Sequence, residues 1–130
     1  MTHKPRLTVL PGRYAVCRLA PNEAIPAWAL AGGGFVSITR TASELSIVCA
    51  ETAVAEDAKR EAGWRLFKLE GPFDFALTGI LLSAIEPLNA AGVSILAIST
   101  YDTDYLLVKD ELVETAKDTL RASGHTVDVE

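Results

Sequence analysis

Two acidic side chains, Asp102 and Asp104, stand in a run of hydroxyl-bearing residues, Ser99-Thr100-Tyr101-Asp102-Thr103-Asp104, between segments that are otherwise nearly all apolar. A carboxylate there attracts a cation, because an unpaired one is costly to bury. Asp104 opens the apolar run Tyr105-Leu106-Leu107-Val108, so it is either solvated or set to meet a positive group. The same residues also suit a plain polar turn between two strands, where Asp and Thr are common. Earlier in the chain, Gly71-Pro72-Phe73-Asp74 leads into a long apolar helix. The first turn of a helix offers N–H groups without intrahelical partners and the positive end of the macrodipole, and both favour an anion. Asp74 can cap those donors itself, which still leaves N–H groups between Phe73 and Thr78 for a ligand carboxylate. Together the two places have the chemistry to hold both ends of a small zwitterion. Gly79 costs the helix about 0.5–1 kcal/mol relative to Ala. A close approach by ligand or backbone would justify it, and so would packing against a sheet or a partner.

Catalytic arrangements are not visible. The sequence has no nucleophile elbow, phosphate loop, dinucleotide fingerprint or metal-spaced cluster. Gly32-Gly33-Gly34 reads as a turn, because no helix opens behind it. His3 and His125 read as surface residues rather than bases. No cofactor and no metal are expected, and the chain is not expected to be an enzyme. Acylphosphatase-like enzymes and RNA-binding domains can share the topology inferred below. The first needs an Arg and an Asn on the first strand-helix elements, and the second needs exposed aromatics on a basic sheet. Neither pattern is evident.

The elements that would position these groups follow from periodicity. Leu77, Ile80, Leu81, Ala84, Ile85, Leu88 and Ala91 recur at the spacing of one helix face. The other flank carries Ala76, Gly79, Leu82 and Ser83, small or apolar groups that suggest a second covered surface. Trp64 to Glu70, Val93 to Ser99 and Asp104 to Val108 read as strands. Asp110 can cap a helix with inner face Leu112, Val113, Ala116 and Leu120, which Gly124 stops. Thr126 to Val129 ends the chain as a strand. The order β-α-β-β-α-β predicts an α+β, ferredoxin-like sandwich.

The first half reads as a truncated copy. Leu7 to Leu19 is strand broken at Pro11-Gly12-Arg13, and Asn22 is a candidate cap for one or two helical turns. Phe35 to Arg40 and Leu45 to Ala50 form a hairpin. Thr52 to Gly63 is either a short helix or a solvated linker. The reading is therefore a tandem duplication, with a βαββ half over residues 1–62 and a complete half over 63–130. A half of that size buries little core alone.

Composition narrows the partners. The 130 residues are 49% apolar and 22% charged, which suits a packed globular chain. A formal net charge of −5, with basic residues scattered singly apart from the acid-flanked Lys59-Arg60 pair, argues against nucleic acid. Cys17 and Cys49 sit in apolar runs and read as buried reduced thiols. The longest apolar run, Phe75 to Ile85, falls short of the roughly 20 residues a membrane span needs, and no signal peptide is evident. A cytoplasmic protein without membrane contact is expected.

The segment Ile98-Ser99-Thr100-Tyr101-Asp102-Thr103-Asp104-Tyr105-Leu106-Leu107-Val108 resembles that of ACT-domain proteins, supported by Gly71-Pro72-Phe73 and Thr78-Gly79-Ile80. The chain is similar to small bacterial tandem-ACT proteins, which are related to aspartate kinase regulatory domains and to eukaryotic arginine sensors. The resemblance covers Gly63 to Glu130, and the N-terminal half loosely. It implies a regulatory module that binds an amino acid or another small metabolite, commonly between paired domains, with a homodimer as one possible assembly. By position it makes Thr100, Tyr101 and Asp104 ligand contacts, with Thr78, Gly79 and Ile80 on the facing helix. In the arginine sensors the residue matching Asp104 faces the cationic end of the ligand. No kinase domain accompanies this chain, which departs from the enzymes. Some ACT-like proteins have lost ligand binding and serve in assembly. A structural interaction module using the Gly79, Leu82 and Ser83 flank is therefore the alternative.

Overall fold

Alternation with a period of two and one helical stripe account for most of the architecture. The computed structural model describes residues 4–71, 73 and 79–130. Its elements are β1 (Leu7–Val9), β2 (Tyr14–Leu19), α1 (Trp28–Ala31), β3 (Ser37–Arg40), β4 (Leu45–Ala50), β5 (Lys59–Leu69), α2 (Ile80–Ala90), β6 (Ile95–Ser99), β7 (Asp104–Lys109), α3 (Val113–Ala122) and β8 (Val127–Val129). The chain divides into two compact units, one of Gly12–Trp64 and one of residues 4–11 with Arg65–Glu130. β5 contributes to both.

In the second unit the strands lie in the order β6-β7-β5-β1-β8. β1 runs antiparallel to β5, with Leu7 opposite Leu69 and Val9 opposite Phe67, and parallel to β8. β5-α2-β6-β7-α3-β8 is the βαββαβ order of a ferredoxin-like sandwich, with β1 inserted between β5 and β8. Leu7 to Val9 was expected in the first half, yet it pairs in this unit. Its pairing partners are far away in sequence, and no local pattern encodes them. Leu7, Val9, Phe67, Leu69, Leu106 and Val108 from the sheet meet Ile80, Ala84 and Leu88 of α2 and Val113, Ala116 and Leu120 of α3 in one core. Leu81 and Ile85 pack at its margin, as the 3.6-residue period predicts. Pro87 lies inside α2. A proline there lacks the N–H that would bond the carbonyl of Ser83, four residues back.

The Gly12–Trp64 unit repeats part of this plan. β2-α1-β3-β4 echoes β5-α2-β6-β7, and the strand order β3-β4-β2 echoes β6-β7-β5. The hairpin turn is closed by Thr41 N–H donating to the Glu44 carbonyl at 2.9 Å. Two local readings need correcting here. Asn22 caps no helix; it sits in a turn in which Glu23 N–H donates to the Ala20 carbonyl at 3.1 Å. α1 starts only at Trp28, after Pro26, since a proline disfavours helical backbone in the residue before it. Thr52 to Gly63 ends as strand rather than as helix or linker. Glu51–Ala53 forms one 3₁₀ turn and β5 begins at Lys59, pairing with β2. Lys59, Arg60, Glu61 and Ala62 are all exposed, so their side chains carry no burial period to read.

Cys17 and Cys49 are free and buried, on the adjacent antiparallel strands β2 and β4. Burial pushes the Cys17 thiol up to about 11, and the neighbouring Cys49 adds to the shift. Burial raises Cys49 as well. Among the described residues no helix is long and apolar enough to cross a membrane.

Candidate functional site

Leu106 and Val108 of β7 join the core beneath the helices. The two-residue period of a strand therefore places Asp104 on that same helix-bearing face, at the end of β7. Ser99 is directly opposite in the β6–β7 register, and its hydroxyl donates to Asp104 Oδ1. Asp104 is half-buried. Its carboxylate thus stands at the end of an inner strand on the side of the helix layer, with one local donor already on it.

The turn between β6 and β7 is tightly built. Thr100 N–H donates to the Thr103 carbonyl at 2.8 Å, and the Thr100 hydroxyl donates to the same oxygen at 3.0 Å. Thr103 N–H donates back to Thr100 Oγ1 at 3.3 Å. Thr103 is buried, 6% exposed, and its hydroxyl donates to the Leu69 carbonyl at the end of β5. The hydroxyl thereby pins the turn to the central strand.

The helix approach lies against this turn. Phe73 N–H donates to the Asp102 carbonyl at 3.0 Å, and the Phe73 ring packs at the edge of the core. A Cβ on Gly71 would sit 3.0 Å from that same Asp102 oxygen, so the contact favours glycine. α2 opens at Ile80 behind Gly79, which holds a left-handed conformation (φ 77°) and supplies no side-chain cap. Ser83 N–H donates to the Gly79 carbonyl at 2.9 Å and closes the first turn.

Of the residues singled out from sequence, Phe73, Asp102 and Asp104 are brought into one neighbourhood with the turn. Gly79 stands at the start of α2. Ile80 is buried at 5% exposure, and its side chain belongs to the core. Thr100 spends its hydroxyl within the turn, and Tyr101 stands 82% exposed at the tip. Asp74 and Thr78 lie outside the described residues. The arrangement has the means to bind a cation through a carboxylate, with the N-terminus of α2 on the same face of the sheet. Among the described residues no group of three or more side chains suits a metal ion.

Sequence reasoning missed two residues. Thr103 looks like its exposed neighbours, and its burial depends on a carbonyl in a distant strand, so no local signal marks it. His125 was read as a surface residue; it is 4% exposed. Its Nε2 lies 2.9 Å from the Ser83 carbonyl and its Nδ1 lies 3.0 Å from the Pro5 carbonyl. Pro87 signals that the Ser83 oxygen needs another donor, but nothing in the sequence names His125 as that donor.

Comparison with known proteins fits this geometry. An ACT-domain family model matches residues 59–122. The chain carries an ACT domain over these residues. A second family model, described as an N-terminal domain, matches residues 12–57. No curated protein matches the chain. A crystal structure of an Agobacterium tumefaciens protein is 47% identical over 99% of this chain and 96% of its own, with a TM-score of 0.93. A Vibrio cholerae protein of unknown function is 17% identical over 91% of this chain and 88% of its own, with a TM-score of 0.73. The ligand-free regulatory subunit of aspartate kinase from Thermus thermophilus is 10% identical over 86% and 92%, with a TM-score of 0.60. At such identities the last two show the shared fold. In this ACT domain, the Thr100–Asp104 turn and the approach to α2 are the segments that meet.

Proposed function

We propose that this ACT-domain chain is a non-enzymatic regulatory protein that binds a small amino acid. The N-terminus of α2, with the approach from Phe73 to Thr78, meets the ligand carboxylate. Asp104, with Asp102 beside it, meets the amino or guanidino group, and Thr100 and Tyr101 border the same place. One observation carries the reading: Phe73 N–H bonds the Asp102 carbonyl at 3.0 Å, which joins the helix approach to the acidic turn. The uncapped glycine at the start of α2 and the position of Asp104 on the helix face support it. Binding acts by population shift, favouring one arrangement of paired ACT-type halves or subunits in the cytoplasm. In this reading residues 1–62 are a truncated repeat and 63–130 the complete one.

Calorimetry against the standard amino acids tests the proposal. One or a few should bind, and Asp104→Ala should abolish the heat. The melting temperature of the free variant should stay nearly unchanged, since Asp104 is only half-buried. No heat and no thermal shift from any amino acid would rule the proposal out. A saturating ligand at about 100 times its Kd adds about 2.7 kcal/mol to the folded state and would be seen. A ligand-free assembly module is the second reading. It is favoured by the open apolar flank of α2, where Leu82 is 56% exposed.

A further inference from the structure

The turn between β3 and β4 and the turn between β6 and β7 are built by the same hydrogen bonds. Thr41 N–H donates to the Glu44 carbonyl at 2.9 Å, as Thr100 N–H does to the Thr103 carbonyl at 2.8 Å. In each turn the threonine hydroxyl donates to that same carbonyl, at 3.4 Å from Thr41 and 3.0 Å from Thr100. Each hydroxyl oxygen accepts in turn, from Glu44 N–H at 3.2 Å and from Thr103 N–H at 3.3 Å. The bonds fix which residues correspond. Arg40 and Leu45, opposite one another across β3 and β4, stand where Ser99 and Asp104 stand across β6 and β7.

The chemistry at these matched positions differs. Leu45 is fully buried in the core of the Gly12–Trp64 unit, so an apolar side chain takes the place of the carboxylate. α1 has four residues and offers no helix end comparable to that of α2. Arg40 instead reaches the connection between β2 and α1. Its Nη1 donates to the Pro21 carbonyl, and its Nη2 donates to the Glu23 carbonyl at 2.9 Å. A guanidinium holds its donors in a fixed, charged fork suited to two oxygens at once. Asn22 to Ile25 are exposed, so burial does little to hold this connection. Ser99 is too short for such a span and bonds Asp104 across the strands.

We propose that Arg40 is a built-in occupant of the Gly12–Trp64 unit. Its side chain ties the hairpin to the helix approach, a span that the ACT domain leaves to a ligand at Asp104. Arg40 thereby positions the connection permanently and closes this unit to ligand, so the chain takes one ligand only. The count of one rests on the binding reading at Asp104, whereas the strut itself does not.

Hydrogen exchange of the full chain, read amide by amide, tests the strut without any ligand. Arg40→Ala should speed exchange across Asn22 to Ala31 about fivefold or more, as expected for a lost charge-assisted bond, while β6 and β7 keep their rates. Arg40→Lys should recover only part of the protection, because an ammonium lacks the fork that meets two carbonyls. Ser99→Arg should install the strut in the ACT domain. It should slow exchange at Phe73 and at Ile80 to Leu82 about fivefold or more, the same bond gained rather than lost. Calorimetry with the standard amino acids should then find one site per chain in wild type and none in Ser99→Arg. Unchanged rates at the connection in Arg40→Ala, or rates that rise equally over the whole chain, overturn the proposal. So do a lysine that protects as fully as arginine, a Ser99→Arg chain with wild-type rates at the start of α2, and two sites per chain. If no amino acid binds wild type, the reading at Asp104 fails, and the exchange rates alone decide the strut.

Discussion

The Thr103 hydroxyl donates to the Leu69 carbonyl in a buried setting, and through that bond the turn bearing Asp102 and Asp104 is fixed to β5. Thr103→Val keeps the shape and removes the donor, leaving a buried carbonyl unpaired at a cost of about 1–3 kcal/mol. Urea unfolding should show that loss, and Thr103→Ser should recover most of it. A Thr103→Val chain as stable as wild type would mean that the bond does not hold the turn. Asp104 was legible from sequence because a carboxylate at the head of an apolar strand conflicts with its surroundings. Thr103 was not, because a threonine between aspartates has no such conflict until the distant strand is brought beside it.

At the scale of elements, α2 shows how one proline is accommodated. Pro87 withholds the donor that the Ser83 carbonyl would use, and His125 Nε2, 2.9 Å away on the connection between α3 and β8, is placed to supply one. The other ring nitrogen faces the Pro5 carbonyl. A neutral ring donates to one of these oxygens and a protonated ring to both. His125→Ala removes the donor from at least one of these carbonyls and should destabilise the fold by about 1–3 kcal/mol for each carbonyl left stranded. Pro87→Ala restores a helical N–H to the Ser83 carbonyl, so it should stabilise the His125→Ala chain more than it stabilises wild type. A double-mutant cycle by denaturant unfolding reads this coupling, and additive effects would contradict it. The buried stripe of α2 was readable from its period. Its partner in His125 was not, since a lone histidine beside a glycine resembles many surface residues.

At the scale of the whole chain, the order β-α-β-β-α-β and the α+β class were legible because each element carries its own periodicity. The path of the sheet was less so. β1 enters between β5 and β8 through pairings with residues far along the chain, and β5 begins at charged residues whose exposure erases any pattern. The meeting of the Thr100–Asp104 turn with the approach to α2 depends on that same non-local arrangement, in which the Asp102 carbonyl accepts from Phe73 N–H. Acid and helix end were each visible in the sequence, and their facing one another was an expectation that the family resemblance implied. Nuclear magnetic resonance tests the central claim most directly, by following the backbone amides of isotope-labelled protein as each standard amino acid is added at millimolar concentration. The account predicts that at least one amino acid shifts the amides of Ser99 to Asp104 together with those of Ile80 to Leu82, and that Asp104→Ala removes both sets of shifts. Amides that stay unmoved at both places with every amino acid, or shifts confined to another part of the chain, would contradict it.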